Sequence, residues 1–407
     1  MSELDDLVCI SDPRFYLDDP YPVFARLRAE DPVHHCAQFD TFVVTKHADV
    51  KLVGSDTTTF TTANGTFLHD TQPRRAGEVS VLDSFFPHGA ENLGTTDGPR
   101  HRELRQAISP AFGARTLQSL ESTVEAICQD LAEPLGPEDP GAWLAAATML
   151  PVRVVAALVG LPDADSGQIL GWTDDIEKIG DDAPLDELRA IGTEFATMKS
   201  YILEHYRARQ RNPGSDMLSV LAQAGARDEG LGEANIMMLA MLVVSAAGGT
   251  TRALLLALIM HLAQRPDQLA LVRADRSLVP GAVEEALRYV PPVRAFLRTA
   301  LRDTEVRGTP VRKGQHLYLM YMAANRDEEV FSDPERFDVA RRENGQQLAF
   351  GFGEHFCIGA PLARMEGRVM LNLLLDRFSS FELVGEPTPV ISVFRNSWEH
   401  MPVVFRP

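Results

Sequence analysis

The chain has little of what marks a secreted, membrane-spanning or nucleic-acid-binding protein. Its 407 residues contain four cysteines, Cys9, Cys36, Cys128 and Cys357, at irregular spacing. That is neither a disulfide framework nor a zinc-ligand pattern, and it fits a reducing, cytoplasmic setting. Positive charge is scarce: 39 Lys and Arg stand against 57 Asp and Glu, a net charge of −18. With no basic tail, a nucleic-acid partner is not expected, and the acid excess favours solubility. No run reaches the ~18 uninterrupted apolar residues of a membrane span. The opening Met-Ser-Glu-Leu-Asp-Asp-Leu-Val has no basic flank and no long apolar stretch, so neither a signal peptide nor an anchor is expected. Internal repeats, low-complexity tracts and clear linkers are also missing.

What is present is a large apolar fraction, 45%, ample for a sizeable core. Length alone would suggest two or three domains. Residues 18–35 read as a short amphipathic helix between proline breakers, and Thr41 to Lys46 as a strand. Residues 63–92 mix Gly and Pro with scattered Phe and His. A loop this long in a compact domain is usually functional; Phe67, Leu68, Phe85 and Phe86 are among its large apolar residues. Residues 115–210 read as successive amphipathic helices punctuated by Pro151, Pro162 and the Gly-Asp-Asp-Ala-Pro run at 180–184. His316 to Tyr321 reads as a strand, and Val390 to Phe405 as a hairpin with Phe394 near its turn.

The clearest chemistry lies in Phe-Gly-Phe-Gly-Glu-His-Phe-Cys-Ile-Gly, residues 350–359. Gly351 and Gly353 allow tight backbone geometry. Gly359 leads into a helical run, Ala360 to Leu375. Cys357 is therefore expected on a rigid loop at a helix N-terminus, where N–H groups and the helix dipole favour a thiolate. A thiolate held this way suits haem iron as an axial ligand.

The longest helical pattern spans residues 233–265 and ends at Pro266. Its apolar run is broken by Gly248, Gly249, Thr250, Thr251 and Arg252. A glycine inside a helix costs ~1 kcal/mol relative to alanine, and threonine hydroxyls can bond back one turn and bend the helix. The break reads as a local opening for a small molecule and water, with Val243, Ala246 and Ala247 as neighbouring pocket candidates. Elsewhere, His101 and Arg105 share a helix face behind Pro99 and offer two donors to an anionic ligand. Glu285 and Arg288 form an i,i+3 pair. Arg298 offers a planar fork suited to a carboxylate. Arg294 has two readings. Pointing inward it implies an anionic or hydrogen-bonding substrate group; pointing outward it carries no meaning.

These motifs, in this order, resemble the cytochrome P450 family. Residues 350–359 match its ligand loop at every fixed position, and the resemblance runs from about Asp18 to Phe405. It implies one domain over residues 1–407, mainly α with a small β region: a triangular helical prism with haem b buried between the long central helix and the cysteine loop. By the same resemblance Cys357 is the iron ligand, Gly359 closes its loop, and Phe350 packs on the proximal haem face. His101, Arg105, Arg298 and His355 hold the propionates. Glu285 and Arg288 join Arg336, from the stretch Phe331 to Phe337, in a buried structural network. Val293, Ala295 and Phe296 run past the haem and, with Phe67, Leu68, Phe85 and Phe86 of the long loop and with Arg294 and Phe394, are pocket candidates; residues 165–200 form a lid.

The break in the long helix corresponds to the family's oxygen-activation groove. The spacing to Pro266 favours Thr250 as the oxygen-side threonine, with Thr251 the alternative. The acid that usually precedes it, which helps deliver protons, is replaced by Gly249. The implied activity is monooxygenation: one oxygen atom from O2 enters a small apolar substrate (a steroid, terpenoid or other secondary metabolite). Electrons come from ferredoxin and its reductase, and the protein is a soluble cytoplasmic monomer with no membrane partner. Gly249 keeps open a haem-thiolate enzyme of atypical chemistry, either a peroxide-using oxygenase or a nitric oxide reductase. A non-catalytic haem binder is disfavoured, because it has no use for the Thr250 groove.

Overall fold

The computed structural model describes residues 3–72, 87, 89–180, 184–228 and 230–407. Near the N-terminus, helices α1 (Tyr21–Glu30) and α2 (His47–Ser55) pack against a mixed sheet. Its strands are β1 (Val33–Cys36), β2 (Thr41–Val44), β3 (Phe60–Thr61), β4 (Ala295–Ala300) and β5 (His316–Met320), in the order β1-β2-β5-β4-β3. β2 and β5 run parallel, with Thr41 beside His316 and Val44 beside Leu319. All four residues of β2, Thr-Phe-Val-Val, are buried, as befits a strand covered on both faces. Lys46 is not part of it. Its ammonium instead reaches Asp327 at 3.0 Å, so the first sixty residues are tied to the segment before the ligand loop.

The helical bulk comprises α3 (Gly98–Ile108), α4 (Ala114–Ala132), α5 (Ala142–Val159), α6 (Ser166–Gly180) and α7 (Leu185–Arg211), then α8 (Met217–Arg227), α9 (Gly232–Ala263), α10 (Pro266–Ala274), α11 (Val279–Tyr289) and α12 (Ala360–Arg377). α9 is the long helix expected from the sequence, and Pro266 opens α10 directly behind it. It contacts α5, α6, α7, α8, α11 and α12. From Ala253 to Leu262 every residue is buried, the mark of a helix enclosed on all sides. α5 and α9 are each long and apolar enough to cross a membrane, with mean hydropathy 1.8, but 67% of each apolar window is buried inside the protein. They are core helices here.

Three further sequence expectations need correction. The helix read over residues 18–35 ends at Glu30, and Val33–Cys36 is strand β1. The strand after residue 316 stops at Met320, and Tyr321–Ala324 is a helical turn. The expected hairpin over Val390 to Phe405 is split. Thr388–Pro389 pairs with Trp398–His400, whereas Val403–Arg406 pairs with Ser380–Leu383. The reason is burial: Phe405 packs against Trp143, Phe378 and Phe381, with ring centroids 5.8, 5.1 and 5.2 Å away. A hairpin confined to the C-terminal stretch would leave that ring outside.

Candidate active site

The loop of residues 350–359 is fixed by its backbone. Gly351 and Gly353 have φ of +70° and +77°, a region that favours glycine. A Cβ on Gly353 would lie 2.7 Å from the Gly54 carbonyl oxygen at the end of α2, so loop and helix meet this closely only because that position is bare. The Cys357 amide donates to the Phe350 carbonyl at 2.9 Å and closes the loop. Cys357 lies deep in the molecule, yet its surface is accessible; the thiol opens onto internal space. Burial pushes this thiol up from its ordinary value. The N–H groups of Gly359 and Ala360 and the charges of Arg105 and Arg364 act the other way without prevailing. The helix N-terminus thus favours the thiolate, as the sequence led us to expect, and burial opposes it. A bound metal cation would supply the missing stabilisation. Phe350 meets Phe356 edge-on at 6.1 Å and lies under the Arg364 guanidinium, 4.6 Å from its carbon.

Behind the loop sits a closed charge network. Glu285 and Arg288 are both 0% exposed and paired twice at 2.8 Å. The third member is Arg341, whose Nε lies 3.2 Å from Glu285 Oε1. This corrects the expectation for Arg336. The Arg336 side chain is exposed, and its contribution is a carbonyl accepting from Arg288 and Arg341 at 3.1 and 2.7 Å. Arg288 also donates to the carbonyls of Asn325 and Pro334, both at 2.9 Å. The guanidinium groups thus tie α11 to the irregular chain leading to Cys357.

On α3, His101 is 1% exposed and neither ring nitrogen has a hydrogen-bond partner among the described residues. Its ring centroid is 4.5 Å from that of His355. Burial, and then the neighbouring His355, lower its pKa to about 4. Arg105 donates to the carbonyls of Glu354 and Phe356 at 3.3 and 2.7 Å and so clamps the ligand loop to α3. Arg298 is 4% exposed and donates to the Leu297 carbonyl at 2.7 Å; no carboxylate among the described residues pairs with it. His355 Nε2 lies 2.8 Å from Asp97 Oδ1. Burial raises the Asp97 carboxyl, but bonds from His355, Thr61 and Thr62 outweigh it and hold the group well below the carboxylate range. An unpartnered buried imidazole, a buried guanidinium without a carboxylate, and a thiol facing inward fit an iron porphyrin with two carboxylates. Sequence reasoning missed Arg341 and the Asp97 support, although Asp97 stands directly before the Gly-Pro that opens α3.

The facing wall is α9. Ala246 and Thr250 are accessible although the helix runs through the interior. With Gly249 and Ala253 they line a cavity of about 650 Å³. Thr250 Oγ1 donates to the Ala246 carbonyl at 3.0 Å, the back-bond expected of a threonine at a helix opening. Thr251 is buried. The two glycines differ in use. Gly249 faces the cavity. Gly248 faces α6, where a Cβ would lie 2.5 Å from Thr173 Oγ1, and Arg252 reaches Asp174 of α6 at 3.4 Å.

Phe67, Phe296, Phe394 and Val293 also line the cavity. Phe394 lies 5.0 Å from Phe67 and 5.6 Å from Phe296, centroid to centroid, and Phe67 lies 6.3 Å from Phe296. Other candidates lie elsewhere. Val243 and Ala247 are on helix faces turned to the main core, and Leu68 is buried in the N-terminal core. Arg294 is 2% exposed and turned away from the cavity: its guanidinium carbon stands 4.6 Å from the centre of the Tyr16 ring, and Nη1 is 3.2 Å from Asn396 Oδ1. Ala295 is buried beside the same N-terminal core. Phe85 and Phe86 lie outside the described residues. The expected lid supplies Ile179 and Phe195 to the lining. Met238, Met241 and Ser245 were missed; Met241 and Ser245 stand eight and four residues before Gly249, a spacing that marks one helix face.

A profile of the family described as Cytochrome P450 matches residues 186–394. The chain is 32% identical over 410 residues to Cytochrome P450-terp of a Pseudomonas species, covering 97% of this chain and 95% of the relative. It is 35% identical over 398 residues to the cytochrome P450 monooxygenase PikC of Streptomyces venezuelae, covering 92% and 89%. Among solved structures, CYP108D1 from Novosphingobium aromaticivorans matches with a TM-score of 0.85 and 31% identity, covering 100% of this chain and 98% of that one.

Proposed function

Because the chain belongs to the cytochrome P450 family and is by that membership a haem-thiolate monooxygenase, we propose that it oxidises a small, largely apolar secondary metabolite. In the proposed reaction, substrate, O2, two electrons and two protons give the oxygenated product and water. Electrons arrive from a ferredoxin-type protein, and residues 1–407 act as one cytoplasmic, monomeric catalytic unit. The observation that carries this reading is the cavity of about 650 Å³ between the Gly249–Thr250 groove and the three phenylalanines.

Haem held through Cys357 would supply oxygen activation, helped by electron donation from the thiolate. The other tasks fall to the chain. His101, Arg298 and His355 hold the propionates, and Arg105 keeps the loop against α3. Phe67, Phe296 and Phe394 exclude water and orient the C–H bond. With no acid at Gly249, Thr250 Oγ1 and water carry the protons, with Thr251 as the alternative.

The test is turnover with ferredoxin, its reductase, NAD(P)H and 18O-labelled O2. One labelled oxygen atom in the product is expected. Gly249 motivates a second reading, chemistry driven by peroxide or directed at nitric oxide. Product from hydrogen peroxide, or consumption of nitric oxide, without any ferredoxin-supported product would replace the first reading with the second.

A further inference from the structure

We infer that the substrate is a neutral, ring-bearing molecule that presents a hydroxyl or N–H donor to Ser245 while its ring seats against Phe67, Phe296 and Phe394. This rests on the proposed function and names the substrate class of the same cavity. Ser245 lines the cavity and is 3% exposed. Its Oγ donates to the Met241 carbonyl at 2.9 Å and lies 3.9 Å from Met198 Sδ of α7. With that proton committed, the oxygen offers acceptor lone pairs. Thr250 is committed in the same way to Ala246.

Along the helical wall the neighbours Met238, Met241, Leu242 and Ala246 are apolar, so Ser245 is the acceptor of that stretch, one turn and more from the Thr250 hydroxyl. A donor placed there gains a buried hydrogen bond that a purely apolar ligand cannot make. The opposite wall is aromatic, with rings mutually tilted or edge-on, which suits a flat ring. Of the charged residues in the lining, Asp70 is engaged by the Thr66 and Phe67 amides, each at 2.9 Å, and Arg395 is engaged within the protein as well, so neither demands an oppositely charged ligand. Ser245 and Thr250 are separated along the axis by roughly 7.5 Å, from a rise of 1.5 Å per residue. A substrate anchored at Ser245 therefore presents to Thr250 a carbon on the far side of its ring.

The test is ferric spin-state titration of the haem-loaded protein with 4-isopropylphenol, isopropylbenzene and 4-isopropylanisole. The phenol should bind roughly fivefold tighter than the other two, as one neutral hydrogen bond is worth ~1 kcal/mol. The anisole retains an oxygen but no donor, so it should behave like the hydrocarbon. Ser245→Ala, with haem content as its folding control, should weaken the phenol alone and bring the three together. Equal affinities in the unaltered protein, a phenol preference that survives Ser245→Ala, or no shift with any of the three would overturn the inference. If the thiolate spectrum is normal in those cases, the oxygenase reading stands. If the spectrum itself is missing, that reading fails first.

Discussion

The wall that carries Cys357 and the wall that faces the substrate are built in different ways. Around the ligand loop, position is set by charges and backbone. Glu285, Arg288 and Arg341 interlock with main-chain carbonyls, Arg105 holds two carbonyls of the loop, and bare glycines permit close approach. The cavity wall is set by apolar packing drawn from distant segments, with Phe67 before α3, Phe296 on β4 and Phe394 near the C-terminus. Interlocked polar groups define one geometry and penalise any member left unpaired. Apolar contacts tolerate substitution if volume is kept. The cofactor side is thus built for invariance, and the substrate side can be retuned without disturbing it.

The comparison is broken most severely at Cys357. Cys357→Ser should abolish the thiolate-type haem spectrum and all oxygenation, and retained activity would end the whole reading. Next comes the charge network. Arg341→Ala removes one of the two arginines on Glu285, which keeps Arg288, and should cost about 1.5–3 kcal/mol, read as a lowered unfolding midpoint with loss of haem. Arg336→Ala, which leaves its carbonyl in place, should stay within about 0.5 kcal/mol. The reverse ranking would restore Arg336 to the network and refute the geometry described here. A smaller effect is expected at the crossing of α6 and α9. Gly248→Ala improves intrinsic helix propensity but drives a methyl into Thr173, so a net loss of roughly 1–3 kcal/mol is expected from overpacking. An unchanged melting temperature would show that α6 yields at no cost.

The same division explains what the sequence discloses. The ligand loop, the break in α9 and the His101–Arg105 pair are legible because their chemistry demands particular residue types at fixed spacing. Arg341 is not, because three arginines, Arg336, Arg341 and Arg342, stand in one irregular stretch and spacing does not say which turns inward. Arg294 shows the same limit. Its neighbours Val293 and Phe296 line the cavity, but its own guanidinium finds the Tyr16 ring, a partner two thirds of the chain away. The cavity wall is legible in part. Once Gly249 is placed, helical spacing points to Ser245 and Met241, whereas the meeting of Phe67, Phe296 and Phe394 depends on a sheet that joins the first sixty residues to the chain after residue 290.

The smallest expected effect lies where the two walls meet, at Gly249. Gly249→Asp puts a carboxylate beside Thr250 on the cavity face of α9. It gains a few tenths of a kcal/mol in helix propensity and gives up a similar amount to partial desolvation, so stability should change by less than about 1 kcal/mol. The residues proposed to hold the propionates and the iron lie on other elements, so haem content and the Soret band should not move. What should change is coupling. A titratable group next to the Thr250 hydroxyl offers a second carrier for the two protons the reaction consumes, and the ratio of product formed to NAD(P)H oxidised should rise, with less hydrogen peroxide released. Loss of haem in this variant would place Gly249 on the cofactor-holding side and void the division between the two walls. Unchanged coupling with intact haem would mean that Thr250 and water already deliver protons at full capacity, and that the glycine is there for the shape of the cavity alone.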